Sequence, residues 1–384
     1  MNKLIKNGIS MLVVAPLIIC GTSATLADPV EDWLAGQTPA AQPSISYDGA
    51  PIDWIFAHPA PPSSNITPVW EQGFDWLSKA TEGKMNFKVM GSGTLLGLRD
   101  GFKGVRSGIA QAATCYTFVE GEGFPLSGIW RQPFVAPSDM AVLARIAAEL
   151  SPKYMKPEFE NAGVYLAYQA ITSAYNLMSK KPVRSLADFK GLKIGLPGGD
   201  PAVGQALGAV FVQIPFPDLY TSLQQGVVDA IAWTDSAFAA YKISEIAKYH
   251  TQLDLFVQTI ESCVNKDSFD SLPPDLKRAF YNFNQLEAFA IMQAAALKGR
   301  DAMLAQFDEA GVEMIVPSDA DMNDIRSAVA PVVDKWVAEQ EAAGIPAMQM
   351  IEDVKFLAKK YQGMTFDQLF NLVVTEPVPG IIDF

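Results

Sequence analysis

The chain has 384 residues, 49% of them hydrophobic and 18% charged, with a formal net charge of −13 at pH 7. That is enough apolar sequence for a large core and two lobes, and so acidic a chain lacks the basic face on which counterion release at nucleic acid depends. Two histidines and three cysteines, with no C-x-x-C pair, leave little material for a zinc or redox centre.

In chain order, Lys3 and Lys6 precede an apolar run from about Met11 to Cys20, and Thr25-Leu26-Ala27 forms a small-x-small pattern before Asp28. The run is shorter than the ~20 residues a membrane span needs. The expectation is a secretory signal over residues 1–27, cleaved after Ala27, and a periplasmic mature chain that does not insert in the membrane. Residues 28–49, rich in Pro, Ala, Gln and Ser, read as an N-terminal linker. "IDWIFAHP" is the first strand. Thr67 then caps a helix with Pro68 in its first turn and Val69, Trp70, Phe74 and Leu77 on one face. "MNFKVM" alternates as a second strand, a glycine-rich loop at 91–97 leads into a second helix, and "IAQAATCY" is a third strand. This order predicts a largely parallel sheet covered by helices, hence an α/β fold.

A second unit of the same kind begins near Ala174. "AYNLMS", "LKIGL", "FVQIP" and "DAIAW" read as strands, with helices at about 200–210 and 217–226 between them. "VQTIESCVN" returns as a strand toward the first unit. From Pro274 to about Gly311 the pattern is helical without sustained heptads, far longer than the ~11–12 residues of a mean globular helix, and it fits a helix lying along both lobes. Ser318 caps a further helix, and "MIEDVKFLAKKYQG" begins a C-terminal helical extension.

Chemistry-bearing motifs are scarce. There is no G-x-S-x-G elbow, H-E-x-x-H helix or Walker A sequence. Glu120 and Glu122 stand two apart, but flanking glycines favour a solvated loop over paired acid–base chemistry. In "GLKIGLPGGD", Gly191, Gly195, Gly198 and Gly199 lack the spacing of a phosphate loop and no lysine follows. No cofactor is expected, and these glycines fit a strand end where backbone approaches a small ligand. Cys115 and Cys263 either bridge or remain buried thiols, and their apolar surroundings favour thiols.

The stretch "SLADFKGLKIGLPGGDPAVGQALGAVFVQIPFPDLYTSLQQGVVDAIAW" resembles the central signature of the solute-binding receptors of tripartite ATP-independent periplasmic (TRAP) transporters. The pieces that match are Asp188–Ile194, Gly208–Pro215 and Leu219–Asp229, in register. "LLGLRDGFKGVRSG" and "RQPF" extend the likeness to roughly residues 50–345. The resemblance implies a two-lobe periplasmic solute-binding fold of the class II type, with hinge strands and a long helix joining the lobes. Lobe I would comprise 50–172 plus 261–300 and lobe II 173–260 plus 301–345, with 346–384 an extension. It also implies a non-enzymatic role: a small solute is trapped between the lobes, shifting an open–closed equilibrium, and passed to membrane permease subunits.

Two positions depart from that pattern. Gly195 stands where the family usually has an arginine that clamps the ligand carboxylate, and Ala232 precedes Trp233 where keto-acid binders have a metal-holding glutamate. The residues left for the cleft are Tyr116, Glu120, Tyr175, Pro197, Phe216, Trp233, Asp235 and Phe238. Aromatic faces with an acid suit an amine, a quaternary ammonium or a neutral ligand. An organic acid, aromatic acids included, is the alternative, held by Arg131 beside Trp130, by His58 after the first strand, or by backbone N–H groups of 197–199. A periplasmic enzyme using Glu120 or His58 as its base is the competing class.

Overall fold

The computed structural model describes residues 28–120 and 123–384. The expected signal at 1–27 and the partner acid Glu122 lie outside the described residues. Eleven strands are described: β1 Ile52–Ala57, β2 Met85–Met90, β3 Ala112–Thr114, β4 Tyr165–Ile171, β5 Tyr175–Ser179, β6 Lys193–Leu196, β7 Val210–Gln213, β8 Ala230–Thr234, β9 Tyr249–Thr251, β10 Thr259–Val264 and β11 Glu313–Ile315. They form a five-stranded sheet, β2-β1-β3-β10-β4, and a six-stranded sheet, β11-β9-β5-β8-β6-β7. Around each sheet lies its own cluster of buried apolar side chains.

Within each unit the strand–helix–strand segments pair in parallel, β1 with β2 and β3, β6 with β7 and β8. The sheets are nonetheless mixed. The chain crosses between lobes after β4 and returns at β10, and the returning strand enters antiparallel to both β3 and β4. The two crossings are bonded together: Thr172 N donates to Gln258 O (2.9 Å) and Tyr175 N to Phe256 O (2.8 Å). The paired crossings form a two-stranded hinge between the lobes.

Several sequence expectations change. Residues 28–49 are no linker: Asp28 caps a helix, Pro29–Leu34, by accepting from Val30 N (2.9 Å), and Trp33 is fully buried beside Trp76, Phe283 and Phe370. One large ring outweighs the disorder-prone composition around it. Thr67 is not a cap but lies inside the helix Thr67–Ala80, its hydroxyl donating to Pro61 O (2.9 Å). The long helix is not uniform: Pro274–Met292 is α, Gln293–Lys298 is a wider π turn, and Gly299–Glu309 is α again. Its first part packs on β4 and the last on the helix Asp235–Ala240 in the other lobe.

The helix Asp319–Ala342, expected wholly in lobe II, starts there through Ile325 and Val329 and ends on the first core through Val337. The C-terminal helices Ala347–Tyr361 and Phe366–Thr375 bury Met350, Val354, Leu369 and Phe370 in that same core, so 346–384 is part of lobe I's packing. Cys115 and Cys263 are joined in a disulfide, with Cα atoms 5.7 Å apart, within the bridging range. The pairing of β3 with β10 brings them together.

Glu287 lies in the long helix, fully buried, and neither carboxyl oxygen has a hydrogen-bond partner among the described residues. It is seated against Gly73 of the facing helix, where any Cβ would lie 2.1 Å from its Oε2. Burial holds its pKa well above the usual carboxyl range. The native state therefore binds more protons than the unfolded one, and stability falls as the pH rises past the unfolded value near ~4.3. Glu287→Gln should raise the melting temperature at pH 8 and change it little at pH 4. Equal shifts at both pH values, read by scanning calorimetry, would exclude the buried-acid account.

Candidate functional site

A cleft of about 600 Å³ separates the lobes, in the range of small-molecule sites. Lobe I contributes the loops after β1 and β2, together with Tyr116 and Phe118 just beyond β3. The hinge contributes Thr172, Gln258 and Thr259, and lobe II contributes Tyr175, Phe216, Trp233 and Tyr241. These rings form a nearly continuous lining. Phe216 and Trp233 stack in parallel, 4° between planes and 5.2 Å between centroids, and Tyr241 lies 4.8 Å from Trp233. Phe118 reaches across to Phe216 (6.2 Å) and touches Tyr116 (5.3 Å). Burial pushes the Tyr116 and Tyr175 phenols upward, so both stay neutral.

Of the sequence-proposed residues, Tyr116, Tyr175, Phe216 and Trp233 meet in this lining. Pro197 stands one layer behind, its carbonyl 3.5 Å from both Tyr175 Oη and Gln258 Nε2. Asp235 is displaced from the cleft. Strand alternation places residues 233 and 235 on one face, but β8 ends at Thr234 and Asp235 opens a helix. Its Oδ1 instead accepts from Asn176 Nδ2 (2.8 Å) and pairs with His250 Nε2 (2.9 Å). Phe238 is core, edge-on to His250.

Gly195 faces lobe II's interior, where a Cβ would lie 3.0–3.2 Å from Ile214, Ile231 and Val228. His58 is 1% exposed, its ring tilted 36° against Trp70 at 4.4 Å, with neither ring nitrogen bonded among the described residues. Burial pushes it down to about 4, so it is neutral. Glu120 is exposed at the end of the helix Thr117–Glu120 and does not line the cleft. Trp130 is fully buried and donates to Gln169 Oε1 (2.9 Å). Arg131 does not line the cleft either; its Nη2 lies 3.5 Å from where a Cβ on Gly128 would be. Of the backbone donors at 197–199, Pro197 has no N–H and Gly198 N donates to Gln213 Oε1 (2.9 Å).

Sequence reasoning missed Phe118, Tyr241 and Gln258. The sequence signal for Phe118 is its place two residues after Tyr116, whereas Tyr241 and Gln258 reach the cleft only through tertiary packing. A second cavity, about 930 Å³, opens on the reverse side of the hinge and takes in Asn176, Asp235 and Phe256. It is larger but lacks the ring lining. Among the described residues, no group of three or more His, Cys, Asp or Glu is placed to hold a metal ion, and no helix is long and apolar enough to cross a membrane.

The family model for bacterial extracellular solute-binding protein, family 7 (DctP), matches residues 56–340. The chain belongs to this family. As a family 7 protein it resembles the 2,3-diketo-L-gulonate-binding periplasmic protein of Escherichia coli, 23% identical over 73% of this chain and 85% of the relative. A TRAP periplasmic solute-binding protein from Desulfovibrio salexigens, solved as an open complex, superposes with a TM-score of 0.74 at 26% identity, covering 82% of this chain and 98% of that one. A TRAP solute-binding protein from Rhodoferax ferrireducens, in complex with copurified benzoate, gives a TM-score of 0.74 at 20% identity, covering 81% and 98%. The TRAP receptor resemblance read from the sequence holds, and so does the two-lobe α/β fold. The arm at 28–49 and the last helices fall outside the matched region.

Proposed function

We propose that this chain is the periplasmic solute-capturing subunit of a TRAP transporter, closing its lobes on a small organic solute and presenting the closed form to a membrane permease. The observation that carries this reading is a ring-lined cleft whose walls come from both lobes across a paired hinge. Contacts from both walls exist together only when the lobes approach, so a bound solute shifts the population toward closure. The enzyme alternative has lost its bases, since neither His58 nor Glu120 lines the cleft.

The test uses residues 28–384, unfolded and refolded to strip carried-over solute, then screened by thermal shift against organic acids, amines, sugars and neutral aromatics. At least one class should raise the melting temperature, by an amount corresponding to about 2.7 kcal/mol at 100 times Kd, with a fall in radius of gyration by X-ray scattering and recovery of the compound intact. Turnover of the compound, or binding without compaction, would count against the receptor reading.

A further inference from the structure

We infer that the solute is an uncharged, flat ring compound bearing hydroxyl, carbonyl or amide groups, neither an organic anion nor an ammonium. This rests on the receptor reading above and assigns its ligand class. The first observation is the lining itself: none of the described residues around the cleft is Asp, Glu, Lys, Arg or His. A net charge brought into such a pocket loses its water and meets no counter-ion.

None of the groups that would have supplied a counter-ion lines the cleft. For an ammonium the candidate was Asp235, whose Oδ1 is taken by Asn176 and His250 and which borders the cavity behind the hinge. For a carboxylate the candidate was position 195. Ile214, Ile231 and Val228 fill the space beside Gly195, so the site is rebuilt as apolar core and is not a vacancy awaiting a cation. Arg131, the other candidate, lies outside the lining, and the charges acting on it are those of the acids Glu261, Asp200 and Glu158.

What the cleft offers is a flat face and neutral polar groups. The parallel Phe216–Trp233 pair with Tyr241 suits a planar ring by stacking, while Tyr116 and Tyr175 supply neutral phenols and Gln258 an amide. Hydrogen bonds from such groups orient a neutral polar ring without requiring charge.

Isothermal titration of the refolded chain with isosteric series, benzamide against benzoate against benzylamine and their naphthalene counterparts, reads the ligand class directly. The neutral member should bind about tenfold or more tightly than either charged one. Its Kd should change by less than about twofold between roughly 20 and 500 mM NaCl. Phe216→Ala, on a partly exposed turn, should weaken the neutral series about tenfold with circular dichroism unchanged. If that variant unfolds, Gln258→Leu gives the corresponding loss for amides and the wild-type series still decides. Tighter binding of the acids or amines overturns the assignment and leaves the receptor reading standing. So does binding only of ringless solutes from the thermal-shift panel. No response to any compound, with no compaction, overturns both.

Discussion

Replacing Cys115 and Cys263 together by alanine should lower the unfolding free energy by about 4 kcal/mol, within the ~2–5 typical of a native disulfide. The bond spans 148 residues of sequence, so it removes a long loop's freedom from the unfolded chain. It also ties β3 to β10, the strand that returns from the other lobe, directly beside Tyr116 on the cleft lining. Both sulfurs are fully buried, so a reductant added to native protein should leave the melting curve unchanged until the chain opens. Urea denaturation of the oxidised wild type and the double variant decides the matter: coincident midpoints would mean the bond contributes nothing to stability.

Trp33→Ala should cost about 3 kcal/mol, the lower end of the ~3–5 range for large aromatic truncations. The lower end applies because the indole N–H has no partner among the described residues, and its removal relieves that deficit. The ring fills a site walled by Trp76 at 5.0 Å, Phe283 at 6.1 Å and Phe370 at 6.3 Å, so it joins the N-terminal arm to the long helix and to a C-terminal helix at once. Lys298, in the π turn between the lobes, meets Asp28 (2.7 Å) and Glu31 (2.8 Å) on the same arm. These half-exposed ion pairs add little by themselves. Trp33→Phe should recover much of the loss, and deleting residues 28–49 should exceed the point substitution. An arm deletion that melts with the wild type would return this segment to the status of a linker.

Local chemistry made much of the fold legible. The strands "IDWIFAHP" and "MNFKVM", the Ser318 cap and the strand–helix order all depend on neighbours in the chain, and they appear in the structure where the residues place them. The three signature pieces around residues 188–229 carried the family for the same reason: a motif is a run of adjacent residues. Tyr116, Tyr175, Phe216 and Trp233 were reachable because they sit at strand ends and turns of that motif-bearing frame.

What failed were statements about which distant groups meet. Asp235 turned from cleft acid to partner of His250 because the strand ends at Thr234 and a helix starts at Asp235 itself, so strand alternation no longer sets its direction. Cys115 and Cys263 paired because β10 returns from the second lobe, and residues 28–49 became structure because Trp33 found three rings far away in sequence. Gly195 looked like a missing clamp and proved to be a filled core position. The sequence by itself determined the local elements and the family, which are set by short-range backbone and side-chain preferences. Only the tertiary structure decided the cleft's electrostatic character, because a charge acts on a ligand according to where its side chain points and what already neutralises it.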